Sequence, residues 1–235
     1  MLSFSDQTAW MADEDYIFPH PATVDKSGVL SVGGKMDAKS LCIAYSFGIF
    51  PWYNHRHDPI LWWNPMPRFV IFPEKIKVHK SMRSYFNQGK FTVTYNQSFE
   101  TVIRHCEMVP RKGQLGSWIN EDIIAAFRRL HQKRYVISVE VWFEGALAGG
   151  LYGVYLGHVF YGESMFSNIP NASKFGFISL VKRLQSEGCV VIDCQQPTDH
   201  LKSLGGEFIS GKEWFGILAR NRKVILQQDF WLDEL

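Results

Sequence analysis

Residues 136–164 read VISVEVWFEGALAGGLYGVYLGHVFYGES. Three apolar runs are separated by Glu144-Gly145 and by Gly157, turn signals at hairpin spacing. The stretch predicts a three-strand antiparallel meander. Downstream, SKFGFISLVKRLQSEG (173–188) sets Phe177, Ile178, Val181 and Leu184 at helical spacing and stops at Gly188. CVVIDC (189–194) then reads as a short buried parallel strand. A short helix from Asp199 leads to Leu204-Gly-Gly, and Ser210-Gly-Lys-Glu213 is a capping box that opens another helix. Meander, helix, strand, helix over 136–220 gives an α+β class.

A sheet of this order whose strand ends splay apart would leave a cleft beside 161–167 and 193–196. Asp193 draws attention to that place. A carboxylate ending an apolar strand is costly unless it is paired, hydrogen-bonded or open to a cleft. Glu163 ends the last meander strand, where a surface turn is the plainer reading. Together the two form a candidate general-base or cation-binding pair. Odd positions of a strand share one face, so Asp193 and Gln195 point together while Ile192 points away. For all three to serve one site, the strand must be irregular or splay there.

Upstream of the meander, residues 1–70 are loop-rich, with prolines at 19, 21, 51, 59, 65 and 67. DAKSLCIAYSFG (37–48) reads as a short helix capped by Asp37 and stopped by Gly48. FPWYNHRHDPILWWNPMPRF (50–69) reads as a rigid aromatic loop. KIKVH (75–79) and FTVTY (91–95) read as strands, and NQSFETVIRHC (96–106) and INEDIIAAFRRLHQ (119–132) as helices. The chain thus divides into an N-terminal part, 1–70, and a larger domain, 71–235.

Composition sets the limits on function. Net charge is only +2 over 235 residues, so a polyanion could be held only by local clustering. Such a cluster exists: six Lys or Arg lie between Arg68 and Lys90 against the single acid Glu74, and Arg128, Arg129, Lys133 and Arg134 follow in a second run. Trp52 in GIFPWY and Trp118 in GSWI sit among Gly, Pro and Ser, where a ring could stack on a base for about 1–3 kcal/mol. The loop NIPNASK (168–174) could hold an anion on its N–H groups but is not a P-loop. It also lacks the Q/R-x-x-G-x-G/A run that holds the coenzyme A pyrophosphate in GNAT acyltransferases. His55 and His57 have no third ligand at motif spacing, so no metal is expected. Without G-x-S-x-G, no covalent acyl-enzyme is expected. The four cysteines form no CxxC, and the N-terminus lacks the basic-then-apolar order of a signal peptide. No apolar run approaches the ~20 residues that span a bilayer, so a cytoplasmic, non-membrane protein is expected.

Taken together, GVLSVGGKMDAKSLCIAYSFGIFPWY, DPILWWNPMPR, KSMRSYF, GSWI, GGLYGV, GESMFSNIPNASK, VVIDCQ and DHLKSLGGEFI resemble the leucyl/phenylalanyl-tRNA–protein transferases, collinearly over roughly residues 15–220. The resemblance implies a small N-terminal α/β domain and a C-terminal GNAT-like acyltransferase domain. It implies transfer of Leu or Phe, and less well Met, from aminoacyl-tRNA to proteins with N-terminal Arg or Lys. The product is marked for N-degron degradation, with no cofactor needed, and the enzyme is expected to be a monomer. By position, Trp52 and Trp118 would hold the terminal adenosine. Leu151, Phe160, Met165, Leu180 and Ile192 would form the apolar pocket for the transferred side chain. Glu163, Asp193 and Gln195 would form the reaction centre. Leu151 and Leu180 stand where larger Met or Phe is usual, and Thr198 where Asn is usual.

An aminoacyl ester is already activated, so the enzyme must only bring a neutral α-amine, of reference pKa about 8, to the carbonyl. Asp193 is expected to orient or deprotonate that amine, Gln195 to hold Asp193 or substrate in line, and Glu163 to bind amino groups. Lys75, Lys77, Lys80 and Arg83 are expected to track acceptor-stem phosphates. Two rivals remain at this stage: a coenzyme A-dependent GNAT-like acetyltransferase and a non-catalytic tRNA-binding protein.

Overall fold

The computed structural model describes residues 18–24, 26–52, 58–109 and 117–227. In chain order its first elements are Val29–Val32 (β1), Ala38–Ser46 (α1), Phe50–Trp52 (β2), Leu61–Trp63 (β3), Arg68–Ile71 (β4), Lys80–Asn87 (α2), Thr92–Tyr95 (β5), Phe99–Met108 (α3) and Glu121–Gln132 (α4). The meander follows as Val136–Phe143 (β6), Ala146–Leu156 (β7) and Val159–Ser167 (β8). Ala172–Ser186 (α5), Val191–Asp193 (β9), Asp199–Ser203 (α6), Glu207–Ile209 (β10) and Gly211–Gln227 (α7) complete the chain.

A seven-stranded sheet in the order β10-β4-β9-β8-β7-β6-β5 organises the molecule. Every neighbouring pair in it is antiparallel except β8 and β9, which run parallel across the crossover helix α5. An antiparallel meander followed by a helix and a parallel strand is the α+β order expected from the sequence. Helices cover both faces, so β9 is buried throughout, Asp193 included. One core lies against α1, α3, α4 and α7, and a second against α2, α5 and α6.

Local chemistry explains most element boundaries. Asp37 accepts the Ser40 N–H at 2.8 Å to open α1, and Asn120 accepts that of Ile123 at 3.0 Å to open α4. Gly48 leaves α1 at φ +74°, where an added Cβ would lie 2.6 Å from the Trp214 ring. Position 48 therefore needs glycine for both backbone and space.

Two segments differ from the sequence reading. The stretch 50–69 is not simply a loop: β3 pairs with β1 on one side and with β2 on the other, in a three-stranded sheet of order β1-β3-β2, and β4 enters the large sheet. Its prolines sit at strand ends and on the edge strand β2, where a missing donor is tolerated. KIKVH, read as a strand, instead follows a 3-10 turn at Pro73–Lys75 and lacks a ladder. Its Lys77 N–H bonds the Leu204 carbonyl, tying 75–79 to the α6 turn, and α2 begins directly after it. Alternation alone cannot distinguish a strand from an extended strap with one face packed.

Candidate active site

β8 and β9 pair for only three residues, Val159 with Val191, Phe160 with Ile192 and Tyr161 with Asp193. β9 ends there, while β8 runs on to Ser167 paired with β7. The strands therefore part after Tyr161 and Asp193, and the expected cleft opens between them. On β8 the register with β7 slips: Gly162 faces Gly153 and Ser164 faces Tyr152, so Glu163 is the extra residue of a β-bulge. A bulge re-aims its side chain, and here the side chain is the carboxylate at the parting of the strands.

Two cavities meet at this point. The first, about 250 Å³, is lined by Leu151, Phe160, Met165, Phe177, Ile192 and Leu201 among others, with Glu163 and Asp193 at its polar end. That volume lies below the usual range for drug-sized ligands and suits a single large side chain. The second, about 130 Å³, is lined by Pro51, Trp52, Trp118, Glu163 and Gln195 among others. Gly162, Glu163, Cys194 and Gln196 line both. A molecule reaching from one cavity to the other must pass Glu163.

Asp193 is paired and hydrogen-bonded as well as lining the cleft. It is fully buried against Arg68, also fully buried, whose Nε and Nη2 donate to its two oxygens at 2.9 and 2.5 Å. Its Oδ1 also accepts the Gln195 N–H at 3.0 Å. Arg68, counted with the surface cluster in the sequence, in fact lies between the Phe50 and Trp214 rings, 4.9 and 5.0 Å from their centroids. Removing one partner of such a buried pair costs about 3–5 kcal/mol, because the other charge is left uncompensated.

After β9 the backbone bends sharply. Gln195 takes φ +57°, uncommon for a non-glycine, and the Gln196 N–H closes a three-residue turn on the Cys194 carbonyl at 2.5 Å. The strand is irregular where the sequence demanded it. This bend carries the Gln195 amide to Glu163, where Nε2 donates to Oε1 at 2.8 Å. Desolvation pushes the Glu163 carboxyl up to about 8, opposed by the nearby Tyr45 hydroxyl and the Gln195 amide. Tyr45 is itself fully buried, its hydroxyl without a well-directed partner.

The other residues singled out in the sequence are distributed as follows. Leu151, Phe160, Met165 and Ile192 share the first cavity, while Leu180 is buried in the core beneath and does not line it. Phe177, one turn earlier on the same face of α5, does. Trp52 and Trp118 share the second cavity. Lys77, Lys80 and Arg83 are exposed, and Lys75 is held by Glu207 at 2.9 Å. In the second basic run Arg128 is forked onto Glu100 at 2.6 and 3.0 Å. The His55–His57 pair lies outside the described residues; among the described residues no group of His, Cys, Asp and Glu could hold a metal. No helix among them is long and apolar enough to cross a membrane.

Comparison with known proteins bears directly on this cleft. The profile of the leucyl/phenylalanyl-tRNA protein transferase family matches residues 70–219, and that of its N-terminal domain matches 34–66. The chain belongs to this family. A leucyl/phenylalanyl-tRNA–protein transferase of Christiangramia forsetii is 51% identical over 86% of this chain and 95% of its own. Proteins of the same name from Flavobacterium johnsoniae and Myxococcus xanthus are 47% and 45% identical, over 87% and 92% of this chain and 96% and 92% of theirs. Membership makes the chain an aminoacyltransferase that works on aminoacyl-tRNA and protein, which sets aside both rivals left open by the sequence.

Proposed function

We propose that the chain transfers Leu or Phe, and less efficiently Met, from aminoacyl-tRNA to the α-amine of proteins that begin with Arg or Lys. The product would enter N-degron degradation, and the reaction would run in the cytoplasm. The observation that carries this reading is the shared wall of the two cavities. The apolar cavity fits the transferred side chain and disfavours charged ones through desolvation. It cannot sharply separate Leu, Phe and Met, because a methylene is worth only about 1–3 kcal/mol in such a slot. The tryptophan cavity fits the terminal adenosine. With both filled, the ester carbonyl lies where they meet, beside Glu163 and Gln195.

The α-amine attacks that carbonyl, the new C–N bond forms, and the ester C–O bond to the ribose breaks. One proton must leave the amine and one must reach the departing ribose oxygen. Glu163, open to both cavities, is the carboxylate best placed to take the first and return the second. Asp193 supports the reaction by orientation: with both oxygens on Arg68 and one also on the Gln195 N–H, it holds Gln195 against Glu163. Lys77, Lys80 and Arg83 would meet acceptor-stem phosphates.

Transfer of labelled Leu or Phe from charged tRNA to an Arg- or Lys-initiated peptide tests the reading, with a Met-initiated peptide as control. Label is expected in the first two peptides only. Equal labelling of the Met-initiated peptide would refute the acceptor rule, and no labelling of any would refute the transfer.

A further inference from the structure

Arg68 joins two parts of the cleft that are far apart in sequence. Its Nη2 donates at 2.7 Å to the carbonyl of Gly48, two residues before β2, the strand that ends in Trp52. The same guanidinium grips both oxygens of Asp193. Asp193 holds the Gln195 N–H, and the Gln195 amide holds Glu163. A continuous hydrogen-bonded chain thus runs from the backbone that carries Trp52 to Glu163. These two residues are walls of the same 130 Å³ cavity.

Charge compensation alone does not require this arrangement, since a lysine ammonium could neutralise Asp193. A guanidinium fixes angles as well, because its planar fork meets a carboxylate at two points and can serve a third acceptor. Here the fork is also confined between the Phe50 and Trp214 rings and reaches Asn64 Oδ1 at 3.4 Å. We infer that Arg68 is a positioning residue for the transfer: it holds the Trp52 wall and the Asp193–Gln195–Glu163 chain in one frame. It touches no substrate. It sets the distance between the adenosine seat and the group that handles the proton, on the reading of the cleft given above.

The experiment compares Arg68→Lys, Arg68→Met and a core variant, Ile225→Ala, whose side chain is buried in α7 and lines neither cavity. For each, kcat and KM are measured with aminoacyl-tRNA and with aminoacyl-adenosine, at a temperature well below the thermal midpoint. Arg68→Lys is expected to lose about 100-fold in kcat with both donors, the scale of a misplacement of about 1 Å. KM for the full tRNA should stay close to wild type, since the stem is held elsewhere. Ile225→Ala should lower the midpoint and leave kcat near wild type. Phe50→Leu loosens the clamp without touching the ion pair and should lower kcat in the same way. It keeps the test decisive if neither Arg68 variant folds. A wild-type kcat in Arg68→Lys or Phe50→Leu would overturn the inference, as would an equal loss in Ile225→Ala. Inactive wild-type protein would instead overturn the reading of the cleft itself.

Discussion

Glu163 and Asp193 stand on neighbouring strands where these part, Glu163 at the bulge inside β8 rather than at its end, yet their surroundings give them different work. Asp193 is closed on Arg68, whereas Glu163 faces two cavities with its carboxyl raised to about 8. As a base, Glu163 must be ionised, and the attacking α-amine, of reference pKa about 8, must be neutral. Below pH 7 the plot of log kcat/KM against pH should therefore rise with a slope near 2, falling to about 1 in Glu163→Gln. Equal slopes would remove Glu163 from proton transfer. Stability gives a second check on the same group. A carboxyl raised in the folded state contributes stability fully present below its unfolded value of 4.5 and lost as pH climbs through about 8. The thermal midpoint of wild type relative to Glu163→Gln should accordingly fall between those limits. At this scale the sequence was legible in part. Asp193 stood out as an acid at the end of an apolar run, but Arg68, a cation heading the apolar run FVI, is the same anomaly 125 residues away. Read as a member of a basic surface, it hid the pairing, which only the strand order β4-β9 brings about. Leu180 and Phe177 occupy one face of α5, and spacing cannot say which of two neighbours on a face reaches a cavity.

Among the elements, β8 determines the site, because its bulge decides where Glu163 points. Gly153 and Gly162 face each other beside that bulge. A Cβ on Gly153 would lie 2.2 Å from the Tyr161 carbonyl oxygen and 2.4 Å from the Phe160 ring, which is a wall of the apolar cavity. The oxygen belongs to backbone and cannot swing aside. Gly153→Ala is expected to destabilise the fold by about 1–3 kcal/mol in a urea titration. It should also raise KM for the aminoacyl donor as Phe160 is displaced, whereas a Gly149→Ala variant should be destabilised through Ala172 and Phe166 without moving that wall. A Gly153→Ala protein of wild-type stability and KM would mean the ladder can relax around the bulge. Elements were legible where turns or caps punctuate them, as in the meander and at Asp37. They were not where a proline-rich stretch forms short strands or where 75–79 alternates without a neighbour strand. In both cases the deciding partner lies elsewhere in the chain: Val29–Val32 for β3, and the Leu204 carbonyl for Lys77.

For the whole molecule, the question is how a chain of net charge +2 holds a polyanion. Ion pairing within the protein narrows the choice of surface. Arg104 and Arg128 are spent on Glu121, Glu107 and Glu100, and Lys75 on Glu207, so these cations bring little free charge to a phosphate. Lys77 is exposed on the strap tied to the α6 turn, Lys80 and Arg83 are exposed on α2, which packs on α5, and His200 and Leu201 of α6 line the apolar cavity. A stem lying along them would deliver its terminal adenosine toward the cleft from one side. Each phosphate left without its cation should reduce the steepness of log K against log salt by about 1, so reversing Lys77, Lys80 and Arg83 together should flatten it by about 3. Reversal of Lys75 should change it less, because its charge is already shared with Glu207. Transfer from aminoacyl-adenosine, which has no stem, should be untouched by any of these changes. A salt slope that survives the triple reversal would move the stem to another face, while slower transfer from aminoacyl-adenosine would mean that the strap supports the cavity instead of the stem.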